Sequence, residues 1–350
     1  MTATQPGDPG QGAAVQPRFS ILTTAYRTEA YLEATIVSVR AQTLAGWEMI
    51  VVDNGRSEAI AEIVRRQARE DSRIRLVRQE NQGYAGGVNA AALHASGAYL
   101  CLLDSDDQYL PTFCEAVEAR LSTEPGLDAV CVDIVRFRDS QDFDNLGGYR
   151  TLPSRKQHLD IEDVLSGRVP YTGAIHRDAW AALGGLDTDP TIEADVLLWS
   201  RLASAYRVGV VHKKLARVRE RAGSESRDHA KLDAFQSRLI RSFELAGRLL
   251  ERPEDRRAAA ATVREFGYHA ALRRSRAAFL AGDVAVARTE AREAMRQHRT
   301  VRILAVRILL RLPQRLLRFA HRAKQVVGSR GNALAGRLST WWRARVDHRA

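Results

Sequence analysis

The chain has 350 residues, of which 45% are hydrophobic and 27% charged. That composition excludes an intrinsically disordered chain and allows one large domain or two ordinary ones. Its net charge of +11 is confined to the end: residues 301–350 hold twelve Arg/Lys and one acid, Asp347, whereas the first 300 residues carry 41 of each sign.

Residues 1–16 lack the basic-then-apolar order of a signal peptide and read as a disordered leader. "RFSILTTAY" reads as a buried strand, and "YLEATIVSVRAQT" as a helix with Leu32, Ile36 and Val39 at helical spacing. "WEMIVVDNG" is a β-branched run closed by a turn signal, "EAIAEIVRRQARE" an amphipathic helix and "IRLVRQ" a short strand. A Gly-rich turn then leads into a helix from Gly87, and "AYLCLLD" is a strand ending on Asp104. Strands alternating with helices predict a mostly parallel sheet with helices on both faces. Ligands of such sheets bind at the carboxyl ends of strands, where both Asp53 and Asp104 fall.

Beyond Asp104 the pattern is mixed. "DAVCVDIVRF" reads as a strand, "LDIEDVLSG" as a helix start, "DAWAALGGLD" as a helix closed by glycines and "DVLLWSRLASAY" as another helix. "RVGVVHK" and "LARVRE" read as two closing strands, and the remainder as helical, with two helices joined at Gly282-Asp283. Four segments follow: a leader over 1–16, an α/β domain over 17–227, a helical region over 228–300 and a basic amphipathic helical tail over 301–350. Cys101, Cys114 and Cys131 are too few and too far apart for a disulfide framework or a CxxC zinc site and suit small core positions in a reducing compartment. No run reaches about 18 uninterrupted apolar residues, so no transmembrane helix is expected and the expected location is cytoplasmic.

"CLLDSDDQYLP" sets Asp104, Asp106 and Asp107 directly behind a strand. Carboxylates this dense repel one another unless a cation sits among them. A calcium loop would want a glycine where Tyr109 stands, and a phosphatase nucleophile motif would want Thr or Val where Gln108 stands. A solvated turn without function is the plain alternative. The reading that remains is a cation clamp on a nucleotide diphosphate.

Three stretches in order support the clamp: "FSILTTAYRTEAYLEATIVSVRAQTLAGWEMIVVDNG", "NQGYAGGVNAA…SGAYLCLLDSDD" and "GGLDTDPTIEADVLLWSRL". Together they resemble the family 2 glycosyltransferases with the GT-A fold, from about Arg18 to Ser226. The resemblance implies that Thr24, Tyr26, Asp53 and Asn54 hold the nucleotide base and that Asn81 and Gly83 lie near the nucleotide. It assigns Asp106 to Mn²⁺ or Mg²⁺, and Asp104 to the metal or the ribose. It makes Asp195 the base that takes a proton from the acceptor hydroxyl, in preference to Glu193, because Asp195 keeps its register to Leu198, Trp199 and Arg201. It puts Arg219 near the pyrophosphate. Asp107 is expected to cap or support. The sequence departs from the family pattern at Arg56, Val88, Ala194 and Arg221.

The implied activity is inverting, metal-dependent transfer of a sugar from a nucleotide-diphosphate donor to an acceptor hydroxyl, in cell-envelope or polysaccharide synthesis. The alternative is a non-catalytic membrane-surface or nucleic-acid-binding protein built on a degenerate transferase domain. In the tail, Arg307, Arg311, Arg315, Arg318 and Arg322 fall within about 80° of helix circumference, opposite Ile308, Leu309, Leu312, Leu316 and Phe319. With Trp341-Trp342 nearby, this suits a helix lying on an anionic membrane surface at the inner face of the cell membrane, with a lipid-linked or other glycan as acceptor. Packing on the catalytic domain is the competing expectation for that helix. Nucleic acid is not expected as a partner.

Overall fold

The structure is a computed structural model that describes residues 16–138, 141–143, 156–167, 169–220 and 232–311. Two compact units divide between Val263 and Arg264. The elements of the first unit run β1 (Phe19–Ala25), α1 (Glu29–Arg40), β2 (Trp47–Asn54), α2 (Glu58–Glu70), β3 (Ile74–Gln79), α3 (Gly83–Leu93), β4 (Tyr99–Leu102) and β5 (Gln108–Tyr109). They continue through α4 (Phe113–Thr123), β6 (Ala129–Arg138), β7 (Gln141–Phe143), α5 (Ile161–Leu165), β8 (Gly173–His176), α6 (Arg177–Leu183), α7 (Ala194–Ala205), β9 (Val208–Arg219) and α8 (Leu232–Leu249). α9 (Pro253–Ala281) spans the division, and α10 (Val284–Gln297) and α11 (Val301–Leu309) lie in the second unit.

The strands form one sheet in the order β3-β2-β1-β4-β8-β6-β9-β5, with β7 on β6. β1 to β4 are mutually parallel, as the alternating strands and helices imply, whereas β8, β5 and β7 enter antiparallel. Most of the register is thus parallel, as expected, with short antiparallel strands making the sheet mixed. Short antiparallel strands such as "TGAIH" do not require a crossover connection and so leave no βαβ signature in the sequence. The two expected closing strands are one strand, β9, whose pairing with β6 shifts register around Asp133. Such a shift lets a long strand bend without ending.

Period-two alternation decides the layers. Phe19 and Ile21 of β1, with Met49 and Val51 of β2, face Leu32, Ile36 and Val39 of α1 and Ile60 and Val64 of α2. Leu22, Ile50 and Val52 point the other way, toward Val88 and Ala91 of α3 and Leu198, Trp199 and Leu202 of α7. Both faces of the inner strands are thus buried, which is why they read as apolar runs. Cys101, Cys114 and Cys131 are free and buried in these layers.

Terminal chemistry sets the helix boundaries. Ser57 caps α2 by accepting from the Ile60 N–H, and Asp160 and Asp163 form a reciprocal capping box on α5. Gly184, at φ 79°, closes α6 in the left-handed conformation expected of a helix-ending glycine. The expected break at Gly282-Asp283 is present, with Asp283 capping α10 through the Val286 N–H. All but the last residue of the expected leader over 1–16 and the tail from residue 312, including Pro313 and Trp341-Trp342, lie outside the described residues, as does Arg221.

Candidate active site

The parallel strands deliver β1, β2 and β4 to one edge of the sheet, and their carboxyl ends open into a cavity of about 410 Å³. It is lined by Thr24, Tyr26 and Thr28 after β1, Asn54 of β2, Asn81, Gly83 and Tyr84 at the start of α3, and Asp104, Ser105 and Asp106 after β4. Seven of these, Thr24, Tyr26, Asn54, Asn81, Gly83, Asp104 and Asp106, are the residues singled out from the sequence.

Asn54 organises the opposite wall. Its Nδ2 donates to the Gly83 carbonyl at 2.8 Å, and its Oδ1 accepts from Gln79 Nε2 at 2.8 Å and from the Gln82 N–H at 3.1 Å. Gly87 lets α3 approach this edge: a Cβ there would lie 2.0 Å from Thr24 Oγ1. Gly55 plays the same part for Tyr26, whose ring carbon Cδ2 would be 2.9 Å from an added Cβ. The hydroxyls of Thr24 and Thr28 are buried without a hydrogen-bond partner. A buried orphan hydroxyl costs free energy that a bound polar ligand would recover.

Asp53 departs from the expectation of a base-binding carboxylate. It is fully buried behind the wall, accepting from the Ser57 N–H at 2.9 Å and from Arg78 Nε at 3.0 Å. It fixes the turn after β2 instead of facing the cavity, which is the Asx-turn role open to any Asp at that position. The departure at Arg56 resolves locally: Arg56 takes a left-handed backbone (φ 51°) and pairs with Glu80, leaving Ser57 as the cap of α2.

The acidic loop is held from three sides. The Thr35 hydroxyl of α1 reaches the Ser105 carbonyl at 3.0 Å and the Asp107 carbonyl at 2.7 Å. The Asp107 N–H closes a turn on the Asp104 carbonyl. From the end of β9, Arg219 donates its Nε to the Asp106 carbonyl at 2.9 Å and its backbone N–H to Asp107 Oδ1 at 2.8 Å. Its guanidinium lies over the rings of Tyr31 and Phe137. Arg219 therefore braces the acidic loop and does not line the 410 Å³ cavity.

A second cavity, of about 170 Å³, lies behind the first and shares Tyr84 and Asp104 with it. Asp107, Arg136, Tyr171, Thr172 and Asp195 also line it. Burial, the charge of Glu193 and then that of Asp104 push the Asp195 carboxyl up to about 7. Asp107 is pushed well above the usual carboxylate range by burial and by Asp104 and Asp106, with Arg219 opposing. Tyr84 is 44% exposed as a whole, but loss of water around its phenol, with Asp104 and Asp195 nearby, holds that group above its ordinary value, and it donates a hydrogen bond to Asp104.

Geometry separates Asp195 from Glu193. Glu193 pairs with Arg238 Nε of α8 at 2.7 Å, and its N–H donates to the Ser242 hydroxyl. Asp195, in the first turn of α7, accepts from the Val196 N–H and lines the second cavity. The loop entering α7 is fastened to α3 by Asn89, whose amide donates to the Leu186 carbonyl at 2.8 Å and accepts from the Leu186 N–H at 3.0 Å. Thr28, Tyr84, Ser105, Tyr171 and Thr172 line the cavities unforeseen. Thr28 sits at a helix N-cap, where a hydroxyl is usually explained by capping, yet it makes no cap hydrogen bond.

Among the described residues no three His, Cys, Asp or Glu side chains form a preformed metal cage. What the loop offers is two carboxylates beside a polar cavity. That donor set fits Mg²⁺ or Mn²⁺, which often take one or two carboxylates and complete their shells with water and substrate phosphates.

Residues 20–183 match the family described as "Glycosyl transferase family 2". The glycosyltransferase EpsH of Bacillus subtilis is 31% identical over 156 residues, 44% of each chain. The Escherichia coli protein WfgD, a UDP-Glc:alpha-D-GlcNAc-diphosphoundecaprenol beta-1,3-glucosyltransferase, is 39% identical over 92 residues, 26% of this chain and 36% of its own. The chain thus spans less than half the length of these curated relatives. Staphylococcus aureus TarS 1–349 in complex with UDP-GlcNAc superposes with a TM-score of 0.58 at 15% identity, covering 84% of this chain and 86% of that one. The mannosyltransferase PcManGT of Pyrobaculum calidifontis, in complex with GDP-Man and Mn²⁺, gives 0.55 at 18% identity, with 92% and 84% covered. Over residues 20–183, a little under half of its length, the chain is thus similar to the family 2 glycosyltransferases, and its α/β fold is GT-A-like.

Proposed function

We propose that the protein transfers a sugar from a nucleoside-diphosphate donor to an acceptor hydroxyl with inversion at the anomeric carbon. The observation that carries this reading is the adjoining pair of cavities: one polar and large, the other smaller and holding Asp195, with Asp104 and Tyr84 between them. Thr24, Thr28, Asn54 and Asn81 would hold the nucleoside, and the orphan hydroxyls of Thr24 and Thr28 favour a polar occupant. A divalent cation, Mn²⁺ or Mg²⁺, held by Asp106 with Asp104, would supply Lewis-acid assistance to the departing diphosphate. Arg219 keeps the acidic loop in place, so its contribution is support of the loop carbonyls and carboxylates.

Asp195 would accept the proton of the acceptor hydroxyl as that oxygen attacks the anomeric carbon. A carboxyl near 7 is matched to this task, being ionised often enough to act and basic enough to take the proton. The name of the relative WfgD, which describes a diphosphoundecaprenol-linked acceptor, supports a lipid-linked acceptor in envelope or polysaccharide synthesis. With such an acceptor the protein would work peripherally at the inner face of the membrane. Among the described residues, no helix is long and apolar enough to cross a membrane.

Calorimetric titration with UDP, GDP and dTDP, each with and without Mn²⁺, tests the reading on the wild type and on Asp106→Ala. Metal-dependent binding of one nucleotide, lost in the variant, is expected. Absence of binding to all three by folded protein would overturn it.

A further inference from the structure

The unit beginning at Arg264 carries a surface for which glycosyl transfer has no use. Ile303 of α11 and Leu310 just beyond it are buried with Tyr268, Ala271, Ala287, Ala291 and Ala294, which fixes the inward side of the helix. The outward side presents Val301, Leu304, Ala305, Ile308 and Leu309, the i, i+3, i+4, i+7, i+8 spacing of a continuous stripe. Val301 is 83% exposed, Leu304 46%, Ile308 63% and Leu309 50%. An ordinary surface helix has one apolar side, and α11 has two.

At 100° per residue the outward stripe spans about 140°, with Arg302 about 20° past one margin and Arg311, on the same progression, about 20° past the other. Both arginines are exposed. No acid occurs between Ala294 and Val346. We propose that this stripe is a docking surface that lies on an anionic lipid bilayer, with Val301, Leu304, Ile308 and Leu309 entering the headgroup boundary and Arg302 and Arg311 meeting lipid phosphates. This gives a specific surface to the peripheral location suggested above and does not depend on the chemistry of transfer.

Charge selects the lipid over the nearest rivals. A second copy docking symmetrically would bring the same arginine-bordered stripe against itself, opposing like charges. Covering by residues 312–350 of this chain would add further bases to the arginines, since that segment holds one acid. A bilayer with anionic headgroups supplies both an apolar layer and the opposite charge.

The test uses the full chain with Ala305→Cys carrying an environment-sensitive fluorophore; the three native cysteines are buried and do not compete for the label. Vesicles of phosphatidylcholine with about one-third phosphatidylglycerol should pellet the protein and shift the probe to the blue, while pure phosphatidylcholine should do neither. Leu304→Gln/Ile308→Gln should weaken the partition at least about tenfold, and Arg302→Gln about fivefold. Three results would overturn the proposal. One is a probe that stays in water while the protein pellets. Another is binding unchanged in the double variant, which would assign it to residues beyond 311. The third is a blue shift without vesicles that grows with protein concentration, which would mark a self-association surface. Nucleotide titration of the same variants should match the wild type, so failure of the vesicle result leaves the transferase reading standing.

Discussion

Asp195→Asn should remove the activity and strengthen the fold. The native carboxyl titrates at about 7 against an ordinary 3.8, a difference of roughly three units. At about 1.36 kcal/mol per unit, its ionisation costs the native state at most ~4 kcal/mol, and about 2 kcal/mol is expected because the carboxylate is only half-buried. The sign follows from proton uptake. Between pH 3.8 and about 7 the native state holds a proton that the unfolded chain has lost, so stability falls as pH rises. Above about 7 both states are ionised and the cost is complete. An asparagine amide has no charge to desolvate and can still accept from the Val196 N–H. Urea unfolding should therefore show a stabilisation that grows from pH 5 to pH 8 and then levels off. Glycosyl transfer should fall by at least a hundredfold, and the wild-type kcat/KM should rise with pH and plateau above about 7. A stability gain independent of pH, or a variant retaining half the wild-type rate, would refute the reasoning.

Thr28→Val replaces a buried orphan hydroxyl by an isosteric methyl, so the melting temperature should hold or rise while nucleotide affinity drops by up to about tenfold, the upper value of one neutral hydrogen bond. Gly87→Ala gains about 1 kcal/mol of helix propensity but sets a Cβ 2.0 Å from Thr24 Oγ1 and 2.8 Å from Thr24 Cβ. Overpacking of about 1–3 kcal/mol should win, read as a lower urea midpoint together with weaker nucleotide binding. Tyr84→Phe keeps the ring between the two cavities and deletes only the hydroxyl that donates to Asp104, so the melt should be unchanged. The dependence of nucleotide binding on Mn²⁺ concentration should shift, and an unshifted curve would free Asp104 of any influence from Tyr84.

The sequence by itself determined the inner half of the sheet and much of the first cavity. Their signals are local: β-branched runs buried on both faces, turn residues after β2, and acids packed behind β4. Asp104 and Asp106 are legible as acids packed behind a strand, whereas Thr24 and Asn54 are named only through the resemblance to family 2 glycosyltransferases. The tertiary structure decided what depends on distant partners. Asp53 bears the same local signature as its neighbour Asn54, and only Arg78 from β3 and the Ser57 N–H turn it away from the cavity. Glu193 and Asp195 are two residues apart on similar chemistry, and Arg238 and Ser242 of α8 engage one while the other is left facing Asp104. The second cavity draws its wall from β4, β6, β9, α3 and α7, elements spread over more than a hundred residues. The outward stripe of α11 likewise became distinct only when Ile303 and Leu310 had taken the inward side. A side chain's type and spacing are written locally, but which way it faces is set by packing between segments far apart in the chain.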